Sequence, residues 1–227
     1  MILGRMQALL ARLYDAPVAH DVEDFLITDR ARLGDLLGSD AAANGDREAS
    51  DEQVILVDAG NEVRVGLFLD PGVIERLNRN DPTASLDDGN LSDYCTALEG
   101  VSHFHYLAWS VARDRKVSLL ELELQADVDK YASALTLLTQ QRGGCFPGAL
   151  HARLFHQVSY LPQLAEESRK RYEEANRHAA RFCRSLEEKF LRRRRSRPEA
   201  WVSELRRFFR CGHQEKLRQA DGAMRVM

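Results

Sequence analysis

Two neighbouring stretches decide the fold: Ser92 to Ala112, SDYCTALEGVSHFHYLAWSVA, and Ser118 to Gln141, SLLELELQADVDKYASALTLLTQQ. In the first, Tyr94, Leu98, Val101, His105 and Trp109 recur every three or four residues, and Ala97, Phe104, Ala108 and Val111 widen the stripe. That spacing is one face of an α-helix, and its width predicts burial on more than one side. The second stretch opens with Ser118-Leu-Leu-Glu121, a capping-box pattern in which Ser and Glu answer each other's unpaired backbone N–H groups. It stops at Gly143-Gly144, residues that accept the left-handed backbone found at helix ends. The connection from Ala112 to Ser118 is short, so the two helices are expected to pack antiparallel. Val101, Phe104 and Ala108 should then face Leu120, Leu124, Val128 or Tyr131.

Working toward the C-terminus, Leu150 to His156 reads as a shorter helix, and Pro162 suits the first turn of a third long one. Its apolar line is Tyr172, Ala175, Ala179, Phe182, Leu186 and Phe190. Ser196-Arg-Pro-Glu199 is a second capping-box pattern, opening a last helix with Trp201, Leu205 and Phe208 on one face.

Working toward the N-terminus, Gln53 to Val57 and Glu62 to Leu69 flank Asp58-Ala-Gly-Asn61, which supplies turn residues for a β-hairpin. Val63, Val65, Leu67 and Leu69 fall on one face at period two. A lone hairpin is marginal in water, and Phe25 to Thr28 is the candidate third strand. Residues 6–14 and 30–37 read as helices, 73–77 as a short one, and 38–52 as a surface loop. The class is therefore α+β, predominantly α-helical: an antiparallel helical bundle over residues 92–227 and an N-terminal α/β part over residues 1–91, carrying the hairpin 53–69. The two parts can form one continuous domain.

Hydrophobic residues make up 44% of the 227 and charged ones 30%, too apolar for wholesale disorder. No run reaches the roughly 18 apolar residues of a membrane span. Arg5 and Arg12 interrupt the apolar start, which makes it a poor secretory signal. The four cysteines, Cys95, Cys145, Cys183 and Cys211, show no metal-ligand spacing. A reducing, cytoplasmic location is the expectation. The net charge of −3 hides a split: residues 169–227 carry +10 and the remainder −13.

Two constellations carry possible chemistry. On the long helices, Glu99 and His103 lie four apart on one face, and Glu121, Gln125 and Asp129 form a ladder at the same spacing. With His105 they make up the candidate catalytic set. Glu123 and Asp127 form a second ladder, read with Lys130 as a solvated face. The Glu-x-x-His spacing of di-iron carboxylate bundles is missing. No cofactor or metal is expected: a subset of these side chains should meet through hydrogen bonds, and His105 should be a core histidine. Cys145, with His151 and His156 downstream, is a weaker nucleophile candidate, since proximity in sequence shows neither base nor activated thiol.

The second constellation is basic. Arg192, Arg193, Arg194, Arg195 and Arg197 join two helices, and Arg206, Arg207 and Arg210 surround Phe208 and Phe209. Such a cluster suits an acidic protein or nucleic acid, with salt-sensitive affinity. The competing reading is a solvated connection paired with Glu187, Glu188, Glu204 and the acidic remainder. By sequence the chain reads as a non-catalytic interaction or regulatory protein that binds an acidic partner through its arginine-rich C-terminal helices. The alternatives are a metal-dependent or unfamiliar enzyme with a His/carboxylate site between the two central helices, and a nucleic-acid-binding protein.

Overall fold

The computed structural model describes residues 1–37, 51–58, 63–160, 162–191 and 198–222. Helix α1 (Ile2–Tyr14) leads through a 3-10 turn (Val22–Phe25) into the two-residue strand β1 (Leu26–Ile27) and helix α2 (Arg30–Leu37). Strands β2 (Glu52–Asp58) and β3 (Val63–Leu69) follow, then α3 (Pro71–Arg79), α4 (Leu91–Val111), α5 (Leu119–Gln141), α6 (Leu150–His156), α7 (Glu166–Leu186), α8 (Pro198–Arg210) and α9 (His213–Gly222). The fold is a predominantly helical α+β arrangement with a small three-stranded sheet.

The central pair is antiparallel. Glu99 of α4 meets Lys130 of α5, Ser102 meets Asp129, His103 meets Glu123, and Tyr106 meets Glu121, so the partner number falls as the residue number rises. Ser118 caps α5 by accepting the Glu121 N–H at 3.2 Å. The reciprocal half of the expected capping box does not form, because the Glu121 carboxylate accepts the Tyr106 hydroxyl and an Arg115 N–H instead. At the far end Gly143 and Gly144 take φ of 61° and 88°, and the Gly144 N–H closes on the Thr139 carbonyl at 2.8 Å.

The sheet order is β1-β3-β2, with β2 antiparallel and β1 parallel to β3. Its third strand is Leu26–Ile27, inside the stretch expected from sequence. One face sends Leu67 and Leu69 into the main core, with Val54 and Val65 packed at its margin. The other face buries Ile27, Ile55 and Phe68 under Leu33 of α2. The sheet can dock on α4 because residue 100 is glycine. A Cβ there would lie 2.4 Å from Leu67 Cδ1 and 2.9 Å from Glu52 Cγ.

Two expectations need correction. Helix α7 starts at Glu166, four residues after Pro162, because the chain turns at 162–163 before the helix begins. The last helix is two helices: α8 ends at Arg210, and the chain restarts after Gly212 as α9. Ser196, the hairpin turn at 59–62 and most of the 38–52 loop lie outside the described residues. One contiguous core joins residues from Ile2 of α1 to Ala220 of α9.

Candidate functional site

The two ladders of α5 face opposite ways, since residues two apart on a helix are separated by about 200°. Each ladder meets different partners. The candidate set drawn from the sequence therefore divides.

On the outer face, His103 stands between two carboxylates. Its Nδ1 lies 3.7 Å from Glu52 Oε1, and its Nε2 lies 3.3 Å from Glu123 Oε2. The Nε2 contact is off the line that a hydrogen bond needs, so this nitrogen, on a side chain 7% exposed, has no hydrogen-bond partner among the described residues. One turn away, Glu99 holds Lys130 Nζ at 2.6 Å, and Lys130 also reaches Asp127 at 3.0 Å. Arg171 of α7 brings its Nε to 3.9 Å from Glu123 Oε1.

Ligand-capable atoms of Glu99, His103 and Glu123 all lie within 4.8 Å of one another. Metal–ligand distances of about 2.0–2.2 Å put neighbouring ligand atoms about 3–3.5 Å apart, so small side-chain rotations would close a shell. Glu52 on the remote ring nitrogen occupies the place of the carboxylate that orients a metal-binding imidazole.

The electrostatics fit the crowding of charge. Burial opposes an imidazolium at His103, but Glu123 and Glu52 outweigh it and hold its pKa well above the usual value. Burial would raise Glu99, yet Lys130 and His103 bring it below the ordinary carboxylate range. Burial likewise opposes the Lys130 ammonium, and Glu99 and Asp127 reverse that.

Glu123 and Lys130, expected on a solvated face, are largely covered here. The edge of β2 and the start of α7 lie over them. Sequence reasoning passed over Glu123 as a site residue, although its ladder was visible. Glu52 and Arg171 gave no spacing signal, because each arrives from a distant element.

On the inner face is a fully buried network centred on Asp129. Ser102 Oγ donates to its Oδ2 at 2.6 Å, Gln125 Nε2 donates to its Oδ1 at 2.7 Å, and the Tyr14 hydroxyl donates to the same Oδ1. Gln125 Oε1 accepts from the ammonium of Lys216, which also donates to the Phe208 carbonyl at 2.9 Å. Burial pushes Asp129 up to about 6 and Lys216 down to about 7. At the end of this face, Glu121 accepts Tyr106 at 2.6 Å and Arg115 at 2.8 Å.

His105 belongs to neither group. It is fully buried, its ring centroid 6.2 Å from that of Phe209, and burial pushes its pKa down to about 4. His151 is tied to the Ala180 carbonyl at 2.8 Å and packs against Tyr131 and Phe155, while Cys145 is exposed.

The basic constellation is only partly within view, since Arg192, Arg193, Arg194, Arg195 and Arg197 lie outside the described residues. Arg206 donates to the Leu13 and Arg12 carbonyls at 3.0 and 3.2 Å, and Arg210 donates to the Asp15 carbonyl at 3.1 Å. These carbonyls lie at the C-terminal end of α1, where backbone acceptors run short of intrahelical donors and arginine fits best. Arg207 pairs with Glu204 at 2.7 Å. No helix among the described residues is long and apolar enough to cross a membrane. No family model, no curated protein and no solved structure matches this chain.

Proposed function

We propose that this chain is a metal-dependent protein whose site is the outer cluster between α4 and α5, with Glu99, His103 and Glu123 as ligands and Glu52 orienting the imidazole. The observation that carries this reading is the His103 ring: its buried Nε2 lies 3.3 Å from Glu123 Oε2 without a directed hydrogen bond, and ligand-capable atoms of His103, Glu99 and Glu123, from two helices, gather within 4.8 Å. Mixed imidazole and carboxylate ligation suits a first-row divalent ion such as Mn²⁺ or Zn²⁺ better than Ca²⁺. Three protein ligands leave coordination positions for water or substrate, as catalytic sites do and structural sites do not. Such an ion would polarise a bound oxygen or activate a water.

The test is calorimetric titration of the chelator-treated chain with Mn²⁺ and, separately, Zn²⁺. One equivalent should bind, and Glu123→Gln and His103→Gln should each lose it while keeping the helical circular-dichroism signal. Uptake no greater in the parent than in these variants rules the reading out.

A second reading is supported by the charge split, +10 over residues 169–227 against −13 elsewhere. In it the arginine-rich segment binds an acidic protein or nucleic acid. Because Arg206 and Arg210 already serve α1, this role falls to Arg192, Arg193, Arg194, Arg195 and Arg197. Replacing Arg193 and Arg194 with Glu should abolish salt-sensitive binding to an anionic probe. Unchanged binding removes this reading.

A further inference from the structure

The C-terminal helix α9 is attached in an unusual way. Of its ten residues, the two that are fully buried are a lysine and an alanine, Lys216 and Ala220, with Leu217 half-buried beside them. Its polar ties to the bundle, Lys216 aside, sit at its ends. His213 Nδ1 meets Ser118 Oγ at 2.7 Å, and Asp221 meets Arg181 at 2.8 Å and His178 Nδ1 at 3.3 Å. Exposed contacts of this kind contribute little.

The one deep polar anchor of α9 is the Lys216 ammonium. It has two oxygen acceptors, Gln125 Oε1 and the Phe208 carbonyl, and its remaining surroundings are the rings of Tyr106 and Phe208, at 4.8 and 4.4 Å. The Asp129 carboxylate is linked to it through the Gln125 amide, and neither Asp129 nor Glu121 pairs with it directly. A buried cation without a direct anionic partner recovers little of its hydration energy. The turn before α9 is held separately: Arg115 donates to the Cys211 carbonyl at 3.2 Å, leaving Gly212 as the pivot.

We infer that α9 is a releasable cover, tethered by Lys216 over the Gln125–Asp129 network, which swings about Gly212 and opens that network to water without unfolding the bundle. Opening would expose Gln125, Asp129 and the adjoining Glu121 of α5. The ionisable groups around the Lys216 amine are Tyr106 of α4, Arg115 of the connection, Glu121 and Asp129 of α5, and Cys211 before α9. Tyr14 of α1 lies one hydrogen bond beyond Asp129, and the α7 groups His178 and Arg181 meet the other end of α9. Burial outweighs the attraction of Glu121 and Asp129, so the covered amine gives up its proton more readily than the released one. Higher pH therefore closes the cover.

The test is hydrogen exchange on the full chain, following α9 and α5 peptides from pH 7 to 9.5 and correcting for intrinsic exchange. The α9 amides should open at least about a hundredfold more often than those of α5. That excess should shrink by up to about tenfold per pH unit. In Lys216→Met the pH dependence should vanish. If α9 and α5 exchange through the same opening, the cover does not exist, and the parent protein alone decides that. If α9 opens separately but with no pH response in the parent, or with the same response in Lys216→Met, Lys216 is not the tether.

Discussion

The two faces of α5 place similar residues in different physical situations. On the outer face, Glu123, Asp127 and Lys130 meet Glu99, His103, Glu52 and Arg171, and the groups are charged, partly wet and only loosely aligned. On the inner face, Gln125 and Asp129 meet Tyr14, Ser102 and Lys216 through short, directed hydrogen bonds with no exposure. A network that satisfies its members rigidifies a core, whereas a cluster with unused ligand atoms has capacity left for something else. Burial and polarity alone therefore do not mark a site: what marks it is polar capacity left unmet.

The largest expected effect lies on the inner face. Asp129→Ala strands Tyr14, Ser102 and Gln125 as buried donors together and should cost about 3–5 kcal/mol, read from denaturant melts. A loss below about 1 kcal/mol would mean water replaces the carboxylate and the inner face is not a closed network.

Acid should act on Asp129 and Glu99 in opposite directions. Asp129 titrates at about 6 in the folded protein, against about 3.9 for an unfolded Asp. Its contribution is complete below pH about 4 and is lost as pH rises through 6, a change of up to about 3 kcal/mol by linkage. Glu99, held low by Lys130, contributes above its unfolded value and loses that contribution as pH falls. Melts of the parent and Asp129→Asn between pH 4 and 6 should therefore diverge, the parent gaining relative stability on acidification. Parallel curves would remove the contrast.

Gly100→Ala probes the outer face. The methyl group would meet Leu67 and Glu52, costing about 1–3 kcal/mol in overpacking despite the better helix propensity of alanine. It should also weaken Mn²⁺ binding by pushing Glu52 off the imidazole. Wild-type stability and metal affinity together would show that the sheet does not rest on α4 as described.

The smallest effect is expected at Glu99→Gln. Its pair with Lys130 is partly exposed, side chains 23% and 18% accessible, so stability should move by less than about 1 kcal/mol. Metal binding should fall by an order of magnitude or more, since a ligand is lost. A large loss of stability with metal binding intact would invert the two faces.

Much of this was legible beforehand. The periods of α4 and α5, the Ser118 cap and the Gly143-Gly144 stop are local, and local chemistry is written in spacing. Both ladders on α5 were visible too, and so was the expectation that the candidate residues would not all converge. What spacing could not assign was which ladder would be covered. Glu52 enters from a strand and Arg171 from another helix, so the burial of Glu123 depends on packing between distant segments. Lys216 was hidden for a related reason: a lysine on a short polar helix reads as solvated until the Gln125 and Phe208 oxygens are seen around it.

The arginines at the end of α1 bear on how the chain is made. Arg206 donates to Leu13 and Arg12, and Arg210 to Asp15, across 193 to 195 residues of sequence. Helix α1 is therefore synthesised well before the α8 groups that finish it. At a synthesis rate of about 5–20 residues per second, its final carbonyls and apolar face wait roughly 10–40 seconds for α8. On the nascent chain α1 therefore stays unfinished until α8 has been made.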